Sequence, residues 1–258
     1  MKETRLIMGM PIEIDIVPAA GRDERAALED AFSYLAAVDE RFSTYKEGSE
    51  ISRINRGDIA PEKASAEMRE VFALAERTKE ETGGYFDIRR PDSVVVPGTV
   101  GPLDPSGVVK GWAIKNAAAL VRAAGFENFF INAGGDIATG GANERGKPWS
   151  VGIRNPFKQE EIVKVVYPKG RGIATSGSYI RGAHVYDPHA PERELKDVVS
   201  LTVIGPDVLE ADRFATAAFA MGKDGILFIE RLPGFEGYAI GADGIATMTR
   251  GFSAYIKP

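Results

Sequence analysis

Ile12, Ile14 and Ile16 alternate with Glu13 and Asp15. That two-residue period predicts a strand with one face buried. The period then changes. Leu28, Ala31, Phe32, Leu35, Val38 and Phe42 recur at helical spacing after Asp23, a residue suited to cap a helix N-terminus. A second helix runs through Met68, Val71, Phe72 and Ala75 and stops at Gly83-Gly84. Residues 89–107 hold several Pro and Gly and are expected to form a loop. A third helix is expected to start near Lys110 and to end at Gly125. Phe129 to Ala133 form a short apolar strand running into Gly134-Gly135. The second half predicts strands at 149–153, 161–167, 171–175, 198–204, 235–240 and 245–256. One helix at about 208–222 interrupts them, with Asp207 as its N-cap and Glu210 as capping-box partner. Strands and helices mix without regular alternation. The expected fold class is therefore α+β, with a largely antiparallel sheet and packed helices. No repeat, low-complexity tract or linker divides the chain, so a single domain over 1–258 is expected.

Composition narrows the chemistry. The 258 residues contain no cysteine, which excludes disulfides, thiolate catalysis and Cys-based metal sites. Lys plus Arg number 32 against 37 Asp plus Glu, a net charge of −5, which argues against a broad nucleic-acid surface. No stretch of about 18 apolar residues appears, so no membrane insertion is expected. The first residues carry no apolar signal-like run, and the expected location is the cytoplasm.

Three places could carry chemistry. Asp212 and Thr216 stand four residues apart on one helix face. A carboxylate and a hydroxyl are hard oxygen ligands suited to Mg²⁺ and substrate phosphates. The commoner meaning of such a pair is a solvated Asp and a Thr bonded to its own backbone. Gly134-Gly135 closes a strand and allows close approach of a ligand to the backbone, although a tight turn needs the same residues. His184 and His189 are the only histidines. His184 could act as a base near neutral pH or make a structural hydrogen bond. His189, in a Pro-containing stretch, is expected to be exposed. No dinucleotide-fold glycine fingerprint or phosphate-loop motif is present.

Taken in order, longer blocks carry a resemblance. They are Met8-Gly9, the stretch from Phe42-Ser43-Thr44-Tyr45 to Ile54-Asn55, Gly84-Tyr85-Phe86-Asp87-Ile88 and Val109-Lys110-Gly111-Trp112-Ala113. They continue with Asn132-Ala133-Gly134-Gly135-Asp136, Ala174-Thr175-Ser176-Gly177-Ser178-Tyr179, His184-Val185-Tyr186-Asp187-Pro188 and Ala211-Asp212-Arg213-Phe214-Ala215-Thr216. This series resembles the ApbE family, the FAD:protein FMN transferases, in order and over nearly the whole chain. The resemblance implies a T-fold-like architecture, FAD as substrate and Mg²⁺ as cofactor. It implies transfer of FMN to a Ser or Thr of an acceptor flavoprotein, with release of AMP. Asp212, Thr216 and the backbone carbonyl of Val109 would then be metal ligands, with Ala215 beside them. Met8, Tyr45, Tyr85, Phe86, Asp87, Ser106, Trp112, Gly134, Gly135 and Tyr186 would face FAD. His184 would activate the attacking hydroxyl, and Asp212 would be catalytic through its metal.

This chain departs from the family pattern at several points. Lys115 stands where an Asp is usual and Arg89 where a Thr is common. His189-Ala190 replaces Thr-Gly, and the segment between Asp87 and Ser106 is short. Lys115 and Arg89 would add positive charge near the pyrophosphate. Two other readings stand beside transfer: FAD hydrolysis to FMN and AMP, and flavin binding without turnover.

Overall fold

The hairpin at the start of the chain joins β1 (Lys2–Ile7) to β2 (Met10–Ile16), with Ile7 opposite Met10. The two residues between them, Met8 and Gly9, both have positive φ, 54° and 69°. That is the turn whose twist matches a two-residue hairpin. The computed structural model describes residues 1–91, 101–158, 160–177 and 185–258.

After β2 the chain turns helical: α1 (Glu24–Phe42), α2 (Glu50–Asn55), α3 (Ala66–Glu81) and α4 (Ser106–Ala123). It returns to strands at β3 (Phe129–Ala133), β4 (Asp136–Gly140), β5 (Val151–Arg154), β6 (Ile162–Val166), β7 (Gly172–Gly177) and β8 (Val198–Gly205). Then come α5 (Val208–Ala220), α6 (Gly225–Arg231), β9 (Glu236–Gly241) and β10 (Ala246–Met248). The main sheet has the order β1-β2-β3-β4-β7-β8-β9-β10, and every neighbouring pair is antiparallel. The expected α+β class with an antiparallel sheet and packed helices is what the chain adopts.

Burial explains the layers. The anticipated face of α1 is buried throughout, and Asp23 accepts the Ala26 amide at 3.0 Å as its cap. It meets α4, whose Val108, Trp112, Ile114 and Val121 are buried too. On α5, Phe214, Ala215 and Ala218 pack against Leu201 and Val203 of β8. The opposite sheet face, with Ile137, Ile173 and Ile204, is covered by Val151, Ile153 and Val166 of the β5–β6 hairpin and by Phe252.

The differences from expectation have local causes. Helix α4 starts at Ser106 rather than near Lys110, because Pro105 is its N-cap and Asp104 accepts the Ser106 amide at 3.1 Å. A glycine so early in a helix reads as loop, yet a Cβ on Gly107 would lie 2.8 Å from the Phe86 ring. The strand expected over 245–256 is limited to Ala246–Met248, and Phe252–Tyr255 form a short 3-10 turn that buries Phe252. Strand β4 is buried at every position, so it shows no alternation to read. The Asp207 cap holds, accepting the Glu210 amide at 3.0 Å. Glu210 itself does not complete a capping box. It turns to Arg213, 2.5 Å away, which is buried and also pairs with Glu81 of α3.

Candidate active site at the α4–α5 contact

Helices α4 and α5 approach closely at Gly111. A Cβ there would sit 2.8 Å from Asp212 Cβ and 2.9 Å from Leu209 Cα. The same glycine donates its backbone N–H to Asp212 Oδ2 at 2.8 Å. Asp212 is only 2% exposed, which corrects any reading of it as a solvated helix acid. Asp136, at the start of β4, is completely buried, and its Oδ1 accepts the Thr175 amide at 3.1 Å. Each carboxylate thus has one oxygen held by backbone. The other oxygens face Lys110, whose Nζ lies 2.5 Å from Asp136 Oδ2 and 3.6 Å from Asp212 Oδ1.

Burial is the main reason the Asp212 carboxyl is pushed above the usual carboxylate range. The charge of Lys110 opposes the rise and neighbouring Asp136 adds to it. With both acids ionised, the one lysine leaves a negative charge uncompensated, so the site favours taking up a proton or a cation. A Mg²⁺ fits this donor set of hard oxygens, with Thr216 one helical turn from Asp212 on the wall of the same cavity. Among the described residues no three His, Cys, Asp or Glu gather as a complete cage. Mg²⁺ commonly takes its remaining ligands from substrate phosphates and water.

Two cavities meet at this point. The first, about 100 Å³, is lined by Asp212, Thr216 and Gly134. Tyr85, Phe86, Asp87 and Tyr186 form its other walls. The second, about 480 Å³ and more apolar, lies against Met8, Phe42, Tyr45 and Val109. Asp104, Ser106 and Lys110 line both. Asp87 is held by Lys79 at 2.5 Å and accepts the Arg89 amide at 2.8 Å. The Tyr186 hydroxyl donates to the Arg89 carbonyl at 3.3 Å, and burial, then the Asp87 charge, push its pKa up to about 12.

Several expected site residues lie elsewhere. Trp112 is buried in the helical core; its Nε1 donates to Glu70 at 2.9 Å and its ring contacts Phe42 edge-on. Its position on α4 points the indole towards α1, so it lines neither cavity. Ala215 points its methyl into the core beneath the sheet. Gly135 is on neither cavity wall, and its amide donates to Asn132 Oδ1 at 2.9 Å within the β3–β4 turn. His184 lies outside the described residues. His189 is exposed as expected, with Nε2 3.0 Å from the Gly83 carbonyl and its ring edge-on to Tyr85. Lys115 spends its charge on Asp207, 2.7 Å away, and Arg89 is exposed with its side chain off the cavity walls. Arg90, next in sequence, lines the first cavity instead. Sequence reasoning alone does not join Lys110 to Asp136. The pair's signal is a charge placed inside each of two apolar runs, Val108 to Ile114 and Ala133 to Thr139.

The model of the ApbE family matches residues 8–96 and 89–239. The chain belongs to the ApbE family. Among ApbE relatives, the FAD:protein FMN transferase of Salmonella typhimurium (strain LT2) is 27% identical over 298 aligned residues, covering 94% of this chain and 84% of that protein. The FAD:protein FMN transferase of Klebsiella pneumoniae (strain 342) is 33% identical over 165 residues, covering 60% of this chain and 46% of its own. The flavin transferase ApbE of Vibrio cholerae superposes with a TM-score of 0.84 at 25% identity, covering 99% of this chain and 98% of its own. The ApbE protein of Thermotoga maritima has the same fold, with a TM-score of 0.85 at 22% identity. The T-fold-like ApbE architecture thus extends across the chain.

Proposed function

We propose that this chain is a Mg²⁺-dependent FAD:protein FMN transferase that attaches FMN to a Ser or Thr of an acceptor protein and releases AMP. The observation that carries this is Lys110, which lines two unlike cavities and faces the buried acids Asp136 and Asp212. A dinucleotide has two bulky ends and a charged centre, and the junction would receive the centre. The chain would work as one unit over 1–258. The support is a sheet that runs unbroken from the first hairpin to β10.

Asp212 and Thr216, with the Val109 carbonyl, would hold Mg²⁺. Bound there, the ion would neutralise the pyrophosphate and stabilise charge on the leaving oxygen. The residues of the chain do the rest. Tyr85, Phe86 and Tyr186 form the walls of one cavity, Met8 and Tyr45 those of the other, and both would exclude water from a bound dinucleotide. The acceptor hydroxyl oxygen attacks the FMN-side phosphorus, the bond from that phosphorus to the bridging oxygen breaks, and AMP leaves with the bridging oxygen. His184 would take the proton of the attacking hydroxyl.

The test is incubation with FAD, Mg²⁺ and a Ser/Thr acceptor domain, with masses recorded with and without acceptor. An acceptor heavier by one FMN less one water, with AMP in equal amount, is the expected result. AMP and free FMN with an unmodified acceptor would replace transfer by hydrolysis. No AMP under any condition would leave flavin binding without turnover.

A further inference from the structure

We infer that Lys110 is a pyrophosphate-contacting residue, held by Asp136 as its positioning partner, and that it competes with the divalent ion for Asp212. The inference deepens the transferase reading and rests on it for the identity of the phosphate ligand. Its competition half rests on geometry alone.

The two ends of the lysine's ion pairing are unequal. The 2.5 Å contact is to Asp136, which has no exposed surface and whose second oxygen is held by the Thr175 amide. The 3.6 Å contact is to Asp212 Oδ1. Oδ2 of Asp212 already accepts the Gly111 N–H, so Oδ1, which accepts no backbone bond, is the more open oxygen for a metal. A divalent ion arriving there meets the lysine's weaker end. Lys110 can give up Asp212 and stay on Asp136. Asp136 therefore fixes where the ammonium remains once the ion is bound.

That place is the useful one. Lys110 is on the wall of both cavities, at their junction, where the centre of a dinucleotide would lie. Lysine serves phosphates as a compact point charge and has three donors to share between Asp136 and a phosphate oxygen. With both carboxylates ionised, as a bound metal requires, the two acids and the lysine sum to −1. A divalent ion turns this to +1, the sign needed to receive a pyrophosphate. Without Asp136 the same set would be more positive and would hold the divalent ion less well.

The sign of the effects separates this role from simple support of the fold. Mn²⁺ affinity is read by electron paramagnetic resonance without nucleotide, and FAD affinity by calorimetry in EDTA and in Mg²⁺. Lys110→Met should bind Mn²⁺ more tightly, by roughly tenfold, and FAD more weakly, by about tenfold or more. Lys110→Arg keeps the charge and should retain most of the FAD affinity. Asp136→Asn should weaken Mn²⁺ binding, hold or raise FAD affinity in EDTA, and lower FAD affinity in Mg²⁺, where the ammonium has lost its fixed place. A Lys110→Met protein that loses both ligands, or keeps FAD affinity unchanged, overturns the inference. Should Lys110→Met not fold, Asp136→Asn decides: a fall in FAD affinity in EDTA, or an unchanged FAD affinity in Mg²⁺, overturns it. If the wild-type protein binds no FAD, the transferase reading fails, while the opposite Mn²⁺ shifts of the two variants still decide the competition.

Discussion

At the residue scale, the buried position of Asp212 changes what its loss should do. Asp212→Asn keeps an acceptor for the Gly111 amide and removes a buried charge whose attraction to Lys110 is shared with Asp136. Its thermal midpoint in EDTA should stay within about 4 °C of wild type or rise. Turnover should fall by about 10²-fold or more, because metal stabilisation of transition-state charge is worth several kcal/mol. Retained turnover at saturating Mg²⁺ would sink the ligand assignment. Gly107 offers a separate test. A methyl there meets Phe86 at 2.8 Å and Thr216 Cγ2 at 3.4 Å. Gly107→Ala should cost about 1–3 kcal/mol in urea unfolding and weaken FAD binding, because both neighbours line the first cavity. Unchanged stability would mean that the wall has room to move.

At the element scale, α5 is fixed at both ends of its first turns. Asp207 caps it and pairs with Lys115 of α4, while Arg213 ties it to α3 through Glu81. Asp207→Ala should cost about 1 kcal/mol in urea unfolding, the usual worth of a cap. Lys115→Asp should cost less than about 1 kcal/mol and leave turnover unchanged, because Lys115 is partly exposed and off both cavity walls. A large change in AMP release would restore the idea that this charge acts on the pyrophosphate. The same elements show what the sequence made legible. The buried face of α1, the limits of β3 and the Asp207 cap followed from period and cap chemistry. The early start of α4 did not, since Ser106-Gly107 looks like loop until Phe86 is known to lie over it. Nor did the inward turn of Trp112, because α4 is apolar on nearly every side and its sequence does not say which neighbour each side meets. The ordered blocks singled out Asp212 and Thr216, but the meeting of Asp136 with Lys110 joins two blocks and exists only in the fold.

At the scale of the whole molecule, the site is assembled from distant parts of the chain: the Met8 turn, the end of α1, the segment after α3, the start of α4, the Gly134 turn and α5. A ligand that bridges them should therefore stiffen the entire fold. At about 100 times their dissociation constants, FAD and Mg²⁺ should add about 2.7 kcal/mol, seen as a rise in thermal midpoint of roughly 5–10 °C. The joint rise should exceed the sum of the separate ones. Simple additivity would place the two ligands apart. One pairing also sets a timetable for synthesis. Strand β2 has its outer neighbour β1 at once, but its inner neighbour β3 comes only after all four helices α1 to α4, with Ile16 paired to Phe129. At translation speeds of about 5–20 residues per second, β2 waits on the order of ten seconds for that partner. Throughout that interval the inner backbone edge of β2 is unpaired, and the sheet face that carries Ile12, Ile14 and Ile16 is incomplete. The nascent chain is then most in need of a chaperone's shelter, and slower decoding between codons 17 and 129 should lower the yield of soluble protein.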